Sequence, residues 1–346
     1  MRSKFKRQLL AGCTSLALSL SAAASSNRYI DIALANNDPA ERPNVILILA
    51  DDLGYTDLSA YGSEIQTPNI DRLADQGVKF SNYHTSPNCA PSRAMLLTGV
   101  DNHLAGVPNI PEALPPEQQG YENYDGVLSP NVATVASLLH ADGYHTYMSG
   151  KWHLGKTEER LPFNRGFERT LSMGDSGADN YEQRPYSALY DHAHWTRDGK
   201  VVELEEPFYS SELLVDEMIG FIDSNLDDGD PFFSYLSFLA VHVPVQAPQE
   251  FTDPYLQTYS EGWPALRSAR HESAMRIGLV PDGSDRVEHD FIDDWDTLSE
   301  EEQRFEAKRM AVYAGMVSAM DHNIGRLIDY LEKEGELDNT IFIFTS

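Results

Sequence analysis

Cysteine is nearly missing from this 346-residue chain, which has only Cys13 and Cys89. Cys13 lies in a segment with the marks of a cleaved leader, so the mature protein keeps Cys89 alone and a disulfide-built scaffold is excluded. Basic residues are also scarce: 26 Lys and Arg stand against 54 Asp and Glu, for a formal charge of -28. Nucleic acid and anionic membrane surfaces would be repelled by that balance and are excluded as partners. No apolar run is long enough to cross a bilayer. The longest apolar-rich stretch, Leu9–Ala24, falls short of the roughly 20 residues that a spanning helix needs, so stable membrane insertion is not expected. No internal repeat is visible, and no low-complexity tract longer than a few residues. What remains, 41% hydrophobic and 23% charged, is an ordinary globular composition with enough chain for one large domain or two smaller ones.

The N-terminus carries its own signal. Arg2, Lys4, Lys6 and Arg7 precede the apolar stretch, and Ala22-Ala23-Ala24 offers the small residues of a cleavage site. Residues 1–24 are read as a signal peptide, 25–42 as a flexible segment, and export to the periplasm or the exterior is expected. Leu10-Ala11-Gly12-Cys13 also looks like a lipoprotein box. Most of the apolar stretch follows Cys13 instead of preceding it, so lipid anchoring there is the weaker reading.

Beyond residue 43 the chain alternates between apolar strands and amphipathic helices. Asn44–Ala50 is continuously apolar, as a strand buried on both faces should be. Helices are expected over Thr67–Gly77 (Leu73 and Ala74 inward), Asn131–Gly143 (Val132, Val135, Leu138 and Leu139 on one face) and Glu212–Leu226. Strands are expected over Tyr144–Ser149, Pro231–Ala240 and Thr340–Thr345. Ser299 and Glu302 form a capping box opening a long helix to about Gly335, with Phe305, Val312, Met316, Met320, Leu327 and Leu331 on its apolar face. Tyr255–Thr297, rich in Pro, Gly, Ser and charge, is read as an excursion or lid. This alternation implies an α/β fold, a mostly parallel or mixed sheet covered on both sides, with ligands bound beyond the strands' carboxyl ends. Asp51-Asp52, Gly150-Lys151 and Ala240-Val241-His242 each follow such an end.

The segment Cys89-Ala-Pro-Ser-Arg93-Ala-Met-Leu-Leu97-Thr-Gly99 carries the chemistry. Pro91 suits the first turn of a helix, which puts Cys89 just before a helix N-terminus, where free N–H groups and the dipole favour an anion. Arg93 lies one turn along, able to offer a forked donor to a tetrahedral oxyanion. The pattern resembles the sulfatase signature, Cys-x-Pro-Ser-Arg followed by Leu-Thr-Gly. A second signature of that family is matched by Gly143-Tyr-His-Thr146-Tyr-Met-Ser149-Gly150-Lys151-Trp152-His153. The opening strand with Asp51 and Asp52 and the element His242-Val-Pro244 also resemble it. The resemblance runs from about Pro43 to Ser346.

It implies an alkaline-phosphatase-like α/β/α sandwich and hydrolysis of sulfate esters, aryl sulfates or sulfated carbohydrates, to alcohol and inorganic sulfate. In that family the cysteine becomes formylglycine, through a formylglycine-generating or equivalent maturation enzyme, and the hydrated aldehyde attacks sulfur. The resemblance implies that Asp51, Asp52 and residue 89 bind one Ca2+, with Mg2+ as an alternative. Arg93 and Lys151 would neutralise sulfate oxygens. His153 would act as base, and His242 would contact sulfate or protonate the leaving oxygen. His192 and His194 have no further ligand at recognisable spacing, so a metal pair there is not supported.

The family pattern continues past this kind of final strand with an Asp-Asn-Gly element, a lysine and a smaller domain. Residues 43–346 are therefore expected to be the N-terminal, incomplete portion of a catalytic domain. Two alternatives stay open: a phosphonate or phosphate ester hydrolase of the same superfamily, and an inactive fragment that binds sulfate esters.

Overall fold

The computed structural model describes residues 42–286 and 293–346, so the leader, residues 25–41 and Cys13 lie outside the described residues. A seven-stranded sheet organises the rest. In chain order the strands are β1 (Asn44–Leu49), β2 (His145–Lys151), β3 (Arg169–Met173), β4 (Trp195–Arg197), β5 (Lys200–Val201), β6 (Phe232–Ser237) and β7 (Thr340–Thr345). Across the sheet the order is β5-β4-β3-β2-β6-β1-β7. β7, β1, β6, β2 and β3 run parallel, and β4 and β5 close one edge antiparallel. The helices are α1 (Pro68–Gln76), α2 (Cys89–Thr98), α3 (Val135–Ala141), α4 (Ser210–Asp223), α5 (Gln249–Thr252), α6 (Gly262–Arg276) and α7 (Glu300–Glu334).

Side chains alternate across a strand, so the unbroken apolar run of β1 feeds two cores. Ile46 and Ile48 face one side, packing with Leu214, Met218 and Phe221 of α4 and with Met316, Met320 and Leu327 of α7. Leu47 and Leu49 face the other, with Ala90, Ala94 and Leu97 of α2 and Ala136 of α3. The expected α/β/α sandwich is observed. β7 differs from the inner strands. Phe342 and Phe344 pack inward, whereas Ile341 and Ile343 are exposed at the sheet edge.

Several boundaries move for local reasons. The helix expected from Asn131 begins at Val135 because Thr134 makes the capping box, with Ser137 answering it. Leu138, expected inward, faces solvent. The Ser299–Glu302 box opens α7 where expected, and Gly335 ends it in the left-handed region. Phe305, expected on its apolar face, is 62% exposed. The stretch read as an irregular excursion contains α6, a helix of 15 residues.

Candidate active site

Three parallel strands deliver their ends to one rim. Asp51 follows β1, Lys151 closes β2 and His242 follows β6. Ladder bonding continues past the strands: Asp51 N–H donates to the Ala240 carbonyl at 2.8 Å and Val241 N–H to the Asp51 carbonyl at 2.8 Å. The β1 and β6 exits are thereby locked together. Asp52 and His153 sit in the left-handed region, φ 63° and 55°, where non-glycine residues are uncommon and each strand turns sharply into its loop. Cys89 is the first residue of α2, with Pro91 in the first turn as expected.

Asp51, Arg93, Lys151 and His153 are all buried, and Cys89 is partly so. Lys151 Nζ donates to Asp51 Oδ2 at 2.5 Å. One terminal nitrogen of Arg93 donates to Asp51 Oδ1 at 3.0 Å, and the other to the Lys151 carbonyl at 2.8 Å and Ser237 Oγ at 2.5 Å. The guanidinium fork, expected to be free for an oxyanion, is thus mostly spent on the protein. Its Nε alone is buried without a partner among the described residues. Burial opposes the charge of Asp51, but Lys151 and Arg93 outweigh it and hold the carboxyl down at about 2. Two buried cations therefore share one buried anion, leaving an excess positive charge beside Cys89.

The sulfur of Cys89 lies 3.3 Å from His153 Nδ1. Burial raises its thiol pKa, yet the His153 hydrogen bond and the Lys151 charge bring it below the ordinary thiol value. On the far side of the imidazole, His153 Nε2 meets Glu112 Oε2 at 3.1 Å. Glu112 sits in a short turn, Pro111–Ala113, and also accepts from Tyr190 Oη. His242 Nε2 lies 3.7 Å from Asp52 Oδ2, its ring edge against Tyr186 at 5.5 Å between centroids. A cavity of about 360 Å³ opens on the rim, lined by Asp51, Asp52, Cys89, Arg93, Thr345 and Ser346 among others.

The sulfatase family model matches residues 43–346, nearly all of the described chain. The chain belongs to the sulfatase family. It is similar to an uncharacterized sulfatase of Schizosaccharomyces pombe, 41% identical over 90% of this chain and 59% of that protein. An arylsulfatase of Klebsiella aerogenes is 37% identical over 88% of this chain and 65% of its own length. Among solved structures, that of BT4656 in complex with its substrate D-glucosamine-2-N,6-O-disulfate matches with a TM-score of 0.59 at 25% identity, covering 88% of this chain and 65% of that one. The chain thus spans less than two thirds of the length of each of these proteins.

Membership of the sulfatases implies a metal and a formylglycine. The donor chemistry at the rim is of the right kind, since Asp51 and Asp52 bring carboxylates, which are hard oxygen donors, to one cavity and Asp51 is held ionised. The donors are few: calcium takes about six to eight oxygens, and both oxygens of Asp51 already accept hydrogen bonds. Asp51, Asp52 and Cys89 also do not gather as tightly as one other group. Among the described residues, only His145, Asp228 and Asp230 bring three such ligand atoms within 4.8 Å of one another. That group begins at the opposite end of β2 from Lys151. The rings of His192 and His194 lie 4.0 Å apart between centroids, tilted by 41°, and His194 is bound to Asp175.

The sequence reading missed Glu112, Tyr190 and Ser237 at this sulfatase site. Ser237 could have been found as the last residue of a strand whose neighbours end in Asp51 and Lys151. Glu112 and Tyr190 lie in loops with no motif around them.

Proposed function

We propose that this protein hydrolyses sulfate esters, aryl sulfates or sulfated carbohydrates, to an alcohol and inorganic sulfate. The observation that carries the reading is the ion cluster beside Cys89: Arg93 and Lys151, both buried, share the one carboxylate of Asp51, while the Glu112 carboxylate is taken up by His153 and Tyr190. A buried excess cation attracts an anionic group strongly, because no water screens it. The α2 N-terminus adds N–H donors from the same side. Belonging to the sulfatase family selects sulfate among anions. Sulfated carbohydrate as substrate is further supported by the disulfated glucosamine that BT4656 takes.

Within this reading each side chain has one task. Arg93 and Lys151 receive the sulfate oxygens and stabilise charge that grows there. Residue 89 presents the nucleophile, and His153 Nδ1, 3.3 Å away, takes its proton. His242, at the exit of β6, faces the leaving oxygen. Asp51 and Asp52 would hold one divalent cation, Ca2+ with Mg2+ as the alternative, which when bound polarises sulfate oxygens. Formylglycine made from Cys89 by a maturation enzyme would, as its hydrate, supply a second hydroxyl on the carbon that bears the attacking oxygen. The basic, apolar and small-residue pattern of residues 1–24 supports export, and no helix among the described residues is long and apolar enough to cross a membrane.

The test is release of nitrophenol from matched sulfate and phosphate esters, with calcium, by protein co-expressed with a formylglycine-generating enzyme. Sulfate-ester turnover that disappears in Cys89→Ala is expected. Phosphate-ester turnover with none on sulfate would overturn the substrate class. Unaltered rates in Cys89→Ala would remove the site itself.

A further inference from the structure

Glu112 belongs to no signature in this sequence and its turn is exposed, yet its side chain is mostly covered and its carboxylate reaches His153 from the side opposite Cys89. We infer that Glu112 is a positioning residue that fixes which nitrogen of His153 carries its proton, and so makes Nδ1 the proton-accepting atom toward residue 89. The inference deepens the hydrolase reading given above and rests on it for the direction of proton transfer.

The argument is one of hydrogen inventory. A deprotonated carboxylate only accepts, so the hydrogen shared by Glu112 Oε2 and His153 Nε2 sits on the nitrogen. In the neutral ring Nδ1 then keeps a lone pair, aimed at Cys89 Sγ 3.3 Å away. Burial alone would raise the Glu112 carboxyl; its bonds to His153 and Tyr190 more than reverse that and hold it ionised at about 2.

Glu112 is itself anchored. Tyr190 Oη donates to its other oxygen, and Ser176 meets the same hydroxyl at 2.7 Å and that of Tyr186 at 2.7 Å. Lys156 Nζ lies 5.0 Å from the centre of the Tyr190 ring and binds Asp175 at 2.9 Å. Tyr186 in turn packs its ring against His242. One continuous set of contacts therefore joins the two histidines of the rim, with Glu112 as its link to His153. A carboxylate that orients a histidine base is worth orders of magnitude in rate where it has been removed from other hydrolases.

Two measurements test this in the full-length protein. The first reads the ring nitrogens of His153 by nitrogen–proton correlation spectra, assigned with His153→Gln, on Cys89→Ser protein with native Glu112 taken as wild type; serine cannot form the thiolate–imidazolium pair that would protonate both nitrogens, and no turnover is needed. Wild type is expected to show the Nε2–H form, and Glu112→Gln, whose amide can also donate, is expected to shift or split those signals. The second compares Glu112→Gln with Glu112→Asp on nitrophenyl sulfate after maturation. kcat is expected to fall about 100-fold or more in Glu112→Gln with KM little changed, and to recover in part in Glu112→Asp. An Nδ1–H signal in wild type, or ring signals unmoved in Glu112→Gln, overturns the inference even if the enzyme is fully active. Absence of sulfate-ester turnover in wild type, with the Nε2–H form present, overturns the hydrolase reading and leaves the positioning of His153 standing.

Discussion

Gly150 shows how closely the backbone is engaged at the rim. It precedes Lys151 in β2, has φ of +119°, and a Cβ there would lie 1.7 Å from the Ser237 carbonyl oxygen. Only glycine fits, for conformational and steric reasons together. Ser237 cannot retreat freely, since its hydroxyl accepts from Arg93 and donates to the Lys151 carbonyl at 2.8 Å. Gly150→Ala is therefore expected to lower stability by more than the ~1–3 kcal/mol of backbone strain alone, and to abolish turnover. Gly220→Ala in α4, where a methyl group meets nothing within 4 Å, serves as the contrast and is expected to hold or raise the melting temperature. Thermal unfolding of both variants checks this; an undisturbed Gly150→Ala protein refutes it. The same neighbourhood shows what was legible residue by residue. Asp51, Arg93, Lys151 and His153 were readable because each sits inside a dense motif. Their mutual pairing was not, because residues 51, 93 and 151 meet only through the strand order.

At the scale of elements, legibility followed the source of stability. β1, β7 and α7 draw theirs from continuous apolar patterns and a capping box, signals that the local sequence carries in full. The β3–β4–β5 edge was not foreseen because those strands are short and take their register from one another. α6 was hidden for a different reason: it buries little of its own surface, chiefly Gly262 and Ala274. An ion cluster holds it instead. Arg270 of α6 pairs with Asp57, and with Glu64 at 2.8 Å, on the segment that follows the β1 exit. Asp57 also accepts from Gly54 N–H at 2.7 Å and Tyr313 Oη at 2.6 Å. Such long-range charge pairing leaves no periodic trace in a sequence. Arg270→Ala strands two largely buried carboxylates, for which a cost of about 3 kcal/mol is expected. Amide exchange should accelerate across 262–276 first and spread to the 53–57 turn. Exchange that rises uniformly over the sheet, or not at all, would contradict this picture of the attachment.

The whole molecule sets a second electrostatic scale against the first. The chain bears a formal charge of -28, yet at the rim Arg93 and Lys151 are both buried and share the one carboxylate of Asp51. Distant approach of an anion is opposed, while contact with the site is favoured. These two effects respond differently to salt, because the Debye length falls from about 30 Å at 0.01 M to about 8 Å at 0.15 M. Screening acts on the long-range repulsion across solvent far more than on charges buried at the rim. The repulsion also grows with the charge of the substrate. For a sulfated oligosaccharide carrying several sulfates, kcat/KM should therefore rise several-fold as salt increases from about 0.01 to 0.15 M. For a nitrophenyl sulfate with one negative charge the change should stay within about twofold. This is the reverse of the usual steering, in which salt slows the encounter of opposite charges. A fall in kcat/KM with salt for the polysulfated substrate would mean that a cationic path on the surface outweighs the net charge. Equal responses from both substrates would mean that encounter does not limit either one.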